Sequence, residues 1–317
     1  MTSLAADIGG TYSRLAWIDD DGRPESAHQS FANTGFASLE DVIAQGLALR
    51  GTPGQPIDDI VLAVPGPVHE DPVALTNIDW RIHRAALQQR FGARRLTVVN
   101  DFQAAALGAL AIGRDSLIVL NEAAVQDGPV IVAGAGTGLG MAWLPRADHD
   151  GLPQPTEGGH QDFAPNDARE VALYEWLAAR HGHVSYERIV SGTGLVDTYR
   201  FLNADQHLQV SPRDIVEAAR EGKDAANQAI QLFVSVFAAY AGNMALAFGP
   251  TGGIYLCGGL ASHLADWFDP AAVAARFTDK GRMRDNVKRI PLFLANSHNA
   301  GLDGAIQILK RNNRAEA

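Results

Sequence analysis

An α/β protein of two domains is what this sequence predicts, and three observations carry the prediction. Short apolar runs, stopped by glycine, proline or asparagine, alternate with segments of helical apolar spacing. A strand, glycine turn and strand occur near residue 9 and again near residue 136, a hint of two structurally similar halves. The chain has 317 residues, enough for two ordinary domains sharing one cleft.

Each element follows from its residues. Leu4-Ala5-Ala6 leads into Asp7-Ile8-Gly9-Gly10-Thr11, and Ser13 to Ile18 forms a second strand ending at the turn Asp19-Asp20-Asp21-Gly22. Phe36, Leu39, Val42, Ile43 and Leu47 then recur at helical spacing. Ile60 to Val64 is a wholly apolar strand stopped by Pro65-Gly66-Pro67. Leu96 to Val99 is another, ending at Asn100-Asp101 before an alanine-rich helix from Phe102 to Ala111. Val130 to Ala133 feeds the loop Gly134 to Gly140, after which Met141 to Leu144 resumes as a strand. The remainder reads as mostly helical, interrupted by strands at Ile254 to Cys257 and Ile290 to Leu294. His181 and His183, on either side of a glycine, are expected in a solvated loop between helix and strand. With no low-complexity linker, the domains are expected to be joined by packed helices.

Composition removes several function classes. The chain is 46% hydrophobic and 20% charged with a net charge of −10, and it has no basic run. Nucleic acid and anionic membrane surfaces are therefore disfavoured partners. One cysteine, Cys257, can form neither an internal disulfide nor a cysteine zinc site, and the ten histidines have no ligand-like spacing. Residues 225–265 hold no Asp, Glu, Lys or Arg, but Gln228, Gln231, Ser235, Asn243 and the break at Gly249-Pro250 interrupt the apolar run. A helix buried all round explains it better than a membrane span. The N-terminal residues lack the features of a signal peptide, so a cytoplasmic protein is expected.

Glycine turns let backbone N–H groups approach phosphate oxygens. Neither loop fits the commonest nucleotide motifs, because no Gly-x-x-x-x-Gly-Lys-Ser/Thr occurs and Leu139 stands where Gly-x-Gly-x-x-Gly needs its last glycine. Both loops also return into a strand, whereas those motifs open a helix. Two glycine hairpins suit a grip on a triphosphate from opposite walls, with Thr11 and Thr137 offering hydroxyls and Asp7 beside Mg²⁺ through water. An ordinary role for Asp7 is an Asx-type turn. The function is favoured because both loops occur.

Asp101 lies past a strand's carboxyl end, where α/β sheets place ligands. It could instead be a helix N-cap, but only one of Asn100 and Asp101 can take that position. Glu157 and His160 flank two glycines in what could be an exposed polar turn, and Glu187 could be a first-turn helix charge. Together these carboxylates, Asn100 and His160 supply what a polyol needs. Phosphoryl transfer needs little more than held phosphates, a metal and a base, and Asp101 is the choice for the base.

In order along nearly the whole chain, these segments resemble the bacterial glucokinases of the non-zinc group, within the hexokinase–actin–Hsp70 ATPase superfamily. Ala6-Asp7-Ile8-Gly9-Gly10-Thr11 resembles the family's first ATP loop, and Gly134 to Gly140 its second. Leu75-Thr76-Asn77-Ile78-Asp79-Trp80 is similar to a segment near the sugar, and Val99-Asn100-Asp101-Phe102 to the one carrying the catalytic base. Glu157-Gly158-Gly159-His160 and Glu187-Arg188 with Ser191-Gly192 resemble the remaining sugar segments.

The resemblance implies a two-domain actin-like ATPase (ribonuclease H-like) fold of hexokinase type with an interdomain cleft. Residues 1–110, completed by the C-terminal helix 300–317, would form a small domain and residues 111–299 a large one. It implies ATP, contacted by Ala6, Asp7, Ile8, Gly9, Gly10, Thr11, Gly136, Thr137 and Gly138, with Mg²⁺ near Asp7. Glucose would be held by Asn77, Asn100, Asp101, Glu157, His160 and Glu187 and phosphorylated at its 6-hydroxyl, in a homodimer whose cleft closes on the sugar. Tyr12 departs from the family's usual Asn after Gly-Gly-Thr. The zinc-binding cysteines of the repressor–kinase branch are absent, and with the first phosphate loop beginning at residue 7 a DNA-binding repressor is not expected. The alternatives are another hexose or amino sugar as substrate, and a sugar sensor without turnover.

Overall fold

The first two apolar runs pair into a hairpin. β1 (Ser3–Ile8) lies antiparallel to β2 (Tyr12–Ile18), with Ile8 opposite Ser13, so Gly9 to Thr11 form the tip. A short strand, β3 (Gln29–Ala32), adds to the outer edge of β2. Helix α1 (Leu39–Leu49) follows. It begins at Leu39, not at Phe36 as the spacing suggested, because Ser38 Oγ accepts from the Asp41 N–H at 3.2 Å and caps it. Phe36 instead packs edge-on against Phe31, ring centroids 5.7 Å apart. Next come β4 (Asp59–Val64), the short hairpin β5 (Val73–Ala74) and β6 (Arg81–Ile82), α2 (Arg84–Phe91), β7 (Arg95–Asn100) and α3 (Asp101–Ala111).

The strands order as β3-β2-β1-β4-β7, with β1, β4 and β7 parallel. β4 is buried along its whole length, which is why its sequence is a continuous apolar run after Asp59 and does not alternate.

The computed structural model describes residues 2–19, 21–76, 78–113, 116–147, 151–205 and 207–314. It divides into two units, Met1–Ala111 with Asn299–Ala317, and Ile112–His298. The second unit contains β8 (Leu117–Asn121), β9 (Val130–Ala135), β10 (Leu139–Leu144), β11 (Gln154–Thr156), α4 (Ala168–His181), α5 (Gly192–Leu202), α6 (Pro212–Arg220) and α7 (Asp224–Phe248). β12 (Gly253–Cys257), α8 (Gly259–His263), α9 (Pro270–Phe277), α10 (Arg284–Val287) and β13 (Leu292–Ala295) complete it.

Its sheet runs β11-β10-β9-β12-β13-β8. The antiparallel pairs β9/β10 and β10/β11 and the parallel pairs β9/β12 and β12/β13 repeat the pattern of the first sheet. The repeated glycine hairpin is thus the visible part of a repeated topology.

α7 is the apolar helix. By length and composition it could cross a membrane, but 78% of its apolar window is buried inside the protein. Its polar interruption Asn243 is spent internally, donating from Nδ2 to the Tyr186 hydroxyl at 2.6 Å. His181 corrects an expectation. It is the last residue of α4, with Nε2 3.0 Å from Oδ2 of the buried Asp197, and a 3-10 turn at Tyr186–Arg188 stands where a strand was expected. His183 is exposed.

The C-terminal helix α11 (Ala300–Arg314) returns to the first unit and packs on α3 and the sheet. Glycines permit the approach: a Cβ on Gly304 would meet the carbonyl of Ala104, and one on Gly108 that of Ala300.

Candidate active site

In the first unit the chemistry gathers at the carboxyl ends of parallel strands, where β-sheet amides and helix N-termini are free to meet a ligand. Register sets the spacing. Asp7 on β1 is level with Ala63 on β4, and Ala63 with Val99 on β7. Two strand spacings separate Asp7 from Val99, about 10 Å. Asp101 lies two residues beyond Val99, at the start of α3.

The choice between Asn100 and Asp101 as helix cap is resolved by hydrogen bonds. Asn100 Oδ1 accepts from the Phe102 N–H at 3.0 Å and the Gln103 N–H at 3.4 Å, and Gln103 Oε1 accepts from the Asn100 N–H at 3.3 Å. This reciprocal pair is a capping box. The Asp101 carboxylate stands outside that box and accepts from the Phe102 N–H at Oδ1, at 2.8 Å. Burial pushes the Asp101 carboxyl up to about 6, the charge of Asp7 adds to the rise, and the Phe102 N–H opposes it.

Ala6, Asp7 and Ile8 lie on β1, and Gly9, Gly10 and Thr11 form the tip that follows. The Asp7 carboxyl is also raised by burial, against the pull of Arg14, whose Nη1 is 3.1 Å from Asp7 Oδ2. α11 comes so close that a Cβ on Gly301 would lie 2.8 Å from Asp7 Oδ1. The sequence reading missed Asn33. It is buried at the mouth of this hairpin and bonds to Gly9, Thr11 and Ser13. Its only sequence signal was a polar residue following Phe31-Ala32.

The second unit brings its own predicted residues together. Ala135 pairs with Leu139, so the tip of the second hairpin is Gly136-Thr137-Gly138, closed by the Gly136 N–H donating to the Gly138 carbonyl at 2.9 Å. Glu187, on the 3-10 turn, is the hub. Its Oε2 accepts from the Leu139 N–H at 2.9 Å, and a Cβ on Gly138 would lie 2.5 Å from that oxygen. Its Oε1 lies 3.8 Å from His160 Nε2, which is 3.9 Å from Glu157 Oε2. Glu157 and His160 are exposed, next to the 3-10 turn Gly158–His160. Behind them the Gly192 N–H donates to the Gly136 carbonyl at 2.9 Å, and Ser191 Oγ donates to the Glu187 carbonyl at 2.7 Å while capping α5.

A cavity of about 580 Å³ lies in the same unit, lined by Pro212, Val216 and Arg220 of α6 and by Leu260 and His263 of α8. Pro212 and the Gly136 carbonyl both lie against Gly192, at 3.4 and 3.5 Å from where its Cβ would be, so the cavity adjoins the second hairpin. The sequence reading passed over its wall. The available signal was Gly258-Gly259 directly after the apolar strand β12, a strand-to-helix glycine pair at a carboxyl end. Asn77, the remaining predicted sugar residue, lies outside the described residues.

The donor set suits a hydrated magnesium ion. Among the described residues no three His, Cys, Asp or Glu converge as a metal cage. Mg²⁺ uses one or two carboxylates together with phosphates and water, and Asp7 at the first hairpin is such a carboxylate.

A family profile described as Glucokinase matches residues 4–312. The glucokinase of Chromohalobacter salexigens is 37% identical over 312 residues, covering 97% of both chains. A crystal structure of glucokinase from an Antarctic psychrotroph is 27% identical with a TM-score of 0.82, covering 98% of this chain and 99% of that one. The fold extends to a ROK family glucokinase from Streptomyces griseus solved with glucose and AMPPNP, at 20% identity and a TM-score of 0.64, covering 97% of this chain and 99% of that one.

Proposed function

Because the chain belongs to the glucokinase family and is an enzyme that phosphorylates glucose with ATP, we propose that Asp101 is its general base. The observation that carries this is the capping box. Asn100 takes the helix terminus and leaves the neighbouring carboxylate to face a ligand at a strand end, with its proton affinity raised to about 6. A base of that strength is mostly ionised at neutral pH yet basic enough to accept a proton from the 6-hydroxyl as phosphorus–oxygen bond formation proceeds.

Asn77, Asn100, Asp101, Glu157, His160 and Glu187 hold sugar hydroxyls. The residues from Ala6 to Thr11 and the tip Gly136-Thr137-Gly138 hold the phosphates, by backbone N–H groups and the Thr11 and Thr137 hydroxyls. The adenosine of ATP occupies the cavity between α6 and α8, whose volume suits a nucleoside. Asp7 would hold Mg²⁺ through water, and that ion supplies neutralising charge to the phosphates when bound. Glu187 ties the sugar residues to the phosphate hairpin through the Leu139 N–H, so acceptor and donor are held by one side chain.

In this reading residues 1–110 with the C-terminal helix 300–317 act as a small domain and 111–299 as a large one. The enzyme works as a cytoplasmic homodimer, with glucose preferred over other hexoses.

The test is Asp101→Ala, assayed by coupled turnover and by direct glucose binding. Phosphotransfer should fall by about 10²–10⁴-fold while glucose affinity changes much less. Turnover within about tenfold of wild type would remove Asp101 from the role. A panel of glucose, mannose, fructose and N-acetylglucosamine, each with ATP and Mg²⁺, tests the sugar preference.

A further inference from the structure

Asn33 is nearly inaccessible, 2% exposed, and every polar group of its side chain is engaged. Its Nδ2 donates to the Gly9 carbonyl at 2.8 Å, and its Oδ1 accepts from Ser13 Oγ at 2.8 Å. Its own N–H donates to the Thr11 carbonyl at 2.9 Å. One residue therefore reaches both ends of the hairpin tip and the strand that leaves it. Burying an amide is costly unless it is fully bonded, so an apolar residue would be the cheaper filler if packing were all that the position required. Tyr12, by contrast, gives the tip only its backbone. Its carbonyl accepts from the Gly9 N–H at 2.9 Å, while the side chain is 50% exposed.

The direction of these bonds matters. In a trans peptide the carbonyl of one residue and the N–H of the next point opposite ways. Fixing the Gly9 carbonyl on Asn33 therefore turns the Gly10 N–H to the opposite face of the loop.

We propose that Asn33 is the positioning residue of the first phosphate loop: by holding the Gly9 carbonyl it sets the Gly9–Gly10 peptide plane and aims the Gly10 N–H at a phosphoryl oxygen of ATP. This rests on the reading that the loop grips ATP. Preorganised donors cost no reorganisation during transfer, so a loop left free to rotate this peptide binds and orients ATP less well.

The test compares Asn33→Ala, Asn33→Asp and Gly10→Ala in the full-length enzyme, each checked for thermal unfolding. Asn33→Asp keeps the acceptor for Ser13 and removes the donor to Gly9. Both Asn33 variants should raise KM for ATP about tenfold, weaken ADP binding in parallel, and leave KM for glucose within about twofold. The Gly10 amide resonance should shift in their ¹⁵N spectra. A residue that merely supports the fold would lower the unfolding temperature and the active fraction but leave both KM values alone, and that result overturns the proposal. If Gly10→Ala raises KM for ATP and the Asn33 variants do not, Asn33 alone loses its role. If Gly10→Ala is also silent, the assignment of this loop to ATP fails with it. Should the Asn33 variants not fold, Ser13→Ala removes the brace on Oδ1. A rise in KM for ATP with that variant supports the proposal, and none overturns it.

Discussion

Burial raises the Asp101 carboxyl, the charge of Asp7 adds to the rise, and the shift sets a measurable pH dependence. With its carboxyl raised to about 6, Asp101 is progressively protonated below that pH and would lose the proposed role of base. kcat/KM for glucose should fall about tenfold per pH unit on the acid side. The same shift bears on stability. A carboxyl whose folded value exceeds its ordinary 3.8 favours folding most below 3.8, and that contribution is lost as pH rises through about 6. Asp101→Asn should therefore be more stable than wild type at pH 8, by about 1–2 kcal/mol after discounting for partial exposure. Near pH 3 the difference should vanish. Urea unfolding at the two pH values measures it, and a pH-independent difference would contradict the electrostatic account. At this scale the sequence marked Asp101 as one of two candidates for a cap. It could not say which, because the answer lay in whether Gln103 would turn back to the Asn100 N–H.

Elements carry the next level of control. α7 reads as an apolar run with polar interruptions, and Asn243 was legible only as one of them. Its partner Tyr186 is remote in sequence and directly precedes Glu187 on the 3-10 turn. Asn243→Leu removes one of two donors to the buried Tyr186 hydroxyl, the backbone of Ala164 remaining, and should cost about 1 kcal/mol by thermal unfolding. Because that hydroxyl anchors the turn, KM for glucose should rise while KM for ATP stays near wild type. Equal changes in both would mean the helix supports the unit generally. β3 and β8, both edge strands, went unread for a different reason. β3 (Gln29–Ala32) has no apolar run to mark it, whereas the apolar run Leu117 to Leu120 of β8 was there to be read. Phe36 fits the helical period, yet Ser38 offered a cap and the chain took it.

At the scale of the molecule, each unit has its own apolar core, one built around Leu4, Ile60 and Leu62, the other around Ile131, Phe233 and Phe237. α11 belongs to the first although nearly 200 residues separate it from α3. Gly304→Val would force a side chain against the Ala104 carbonyl where the two helices touch. It should destabilise the first unit by about 1–3 kcal/mol or more. Hydrogen exchange should then lose protection in β1, β4 and β7 while α7 keeps it. Uniform loss across both units would show that they unfold as one.

By itself the sequence determined the strand-and-helix class, the two glycine hairpins, the buried character of α7 and the set of polar residues available for chemistry. These depend on local periodicity and turn composition, which a chain carries whatever it packs against. Tertiary structure decided which polar groups are consumed. Asn100 closes a helix and Asn33 locks a loop. Asn243 anchors a turn, Glu187 bridges two segments, and Asp101 is left available. Each outcome depends on a partner brought in by folding, and the cost of an unpaired buried polar group makes that partner decisive.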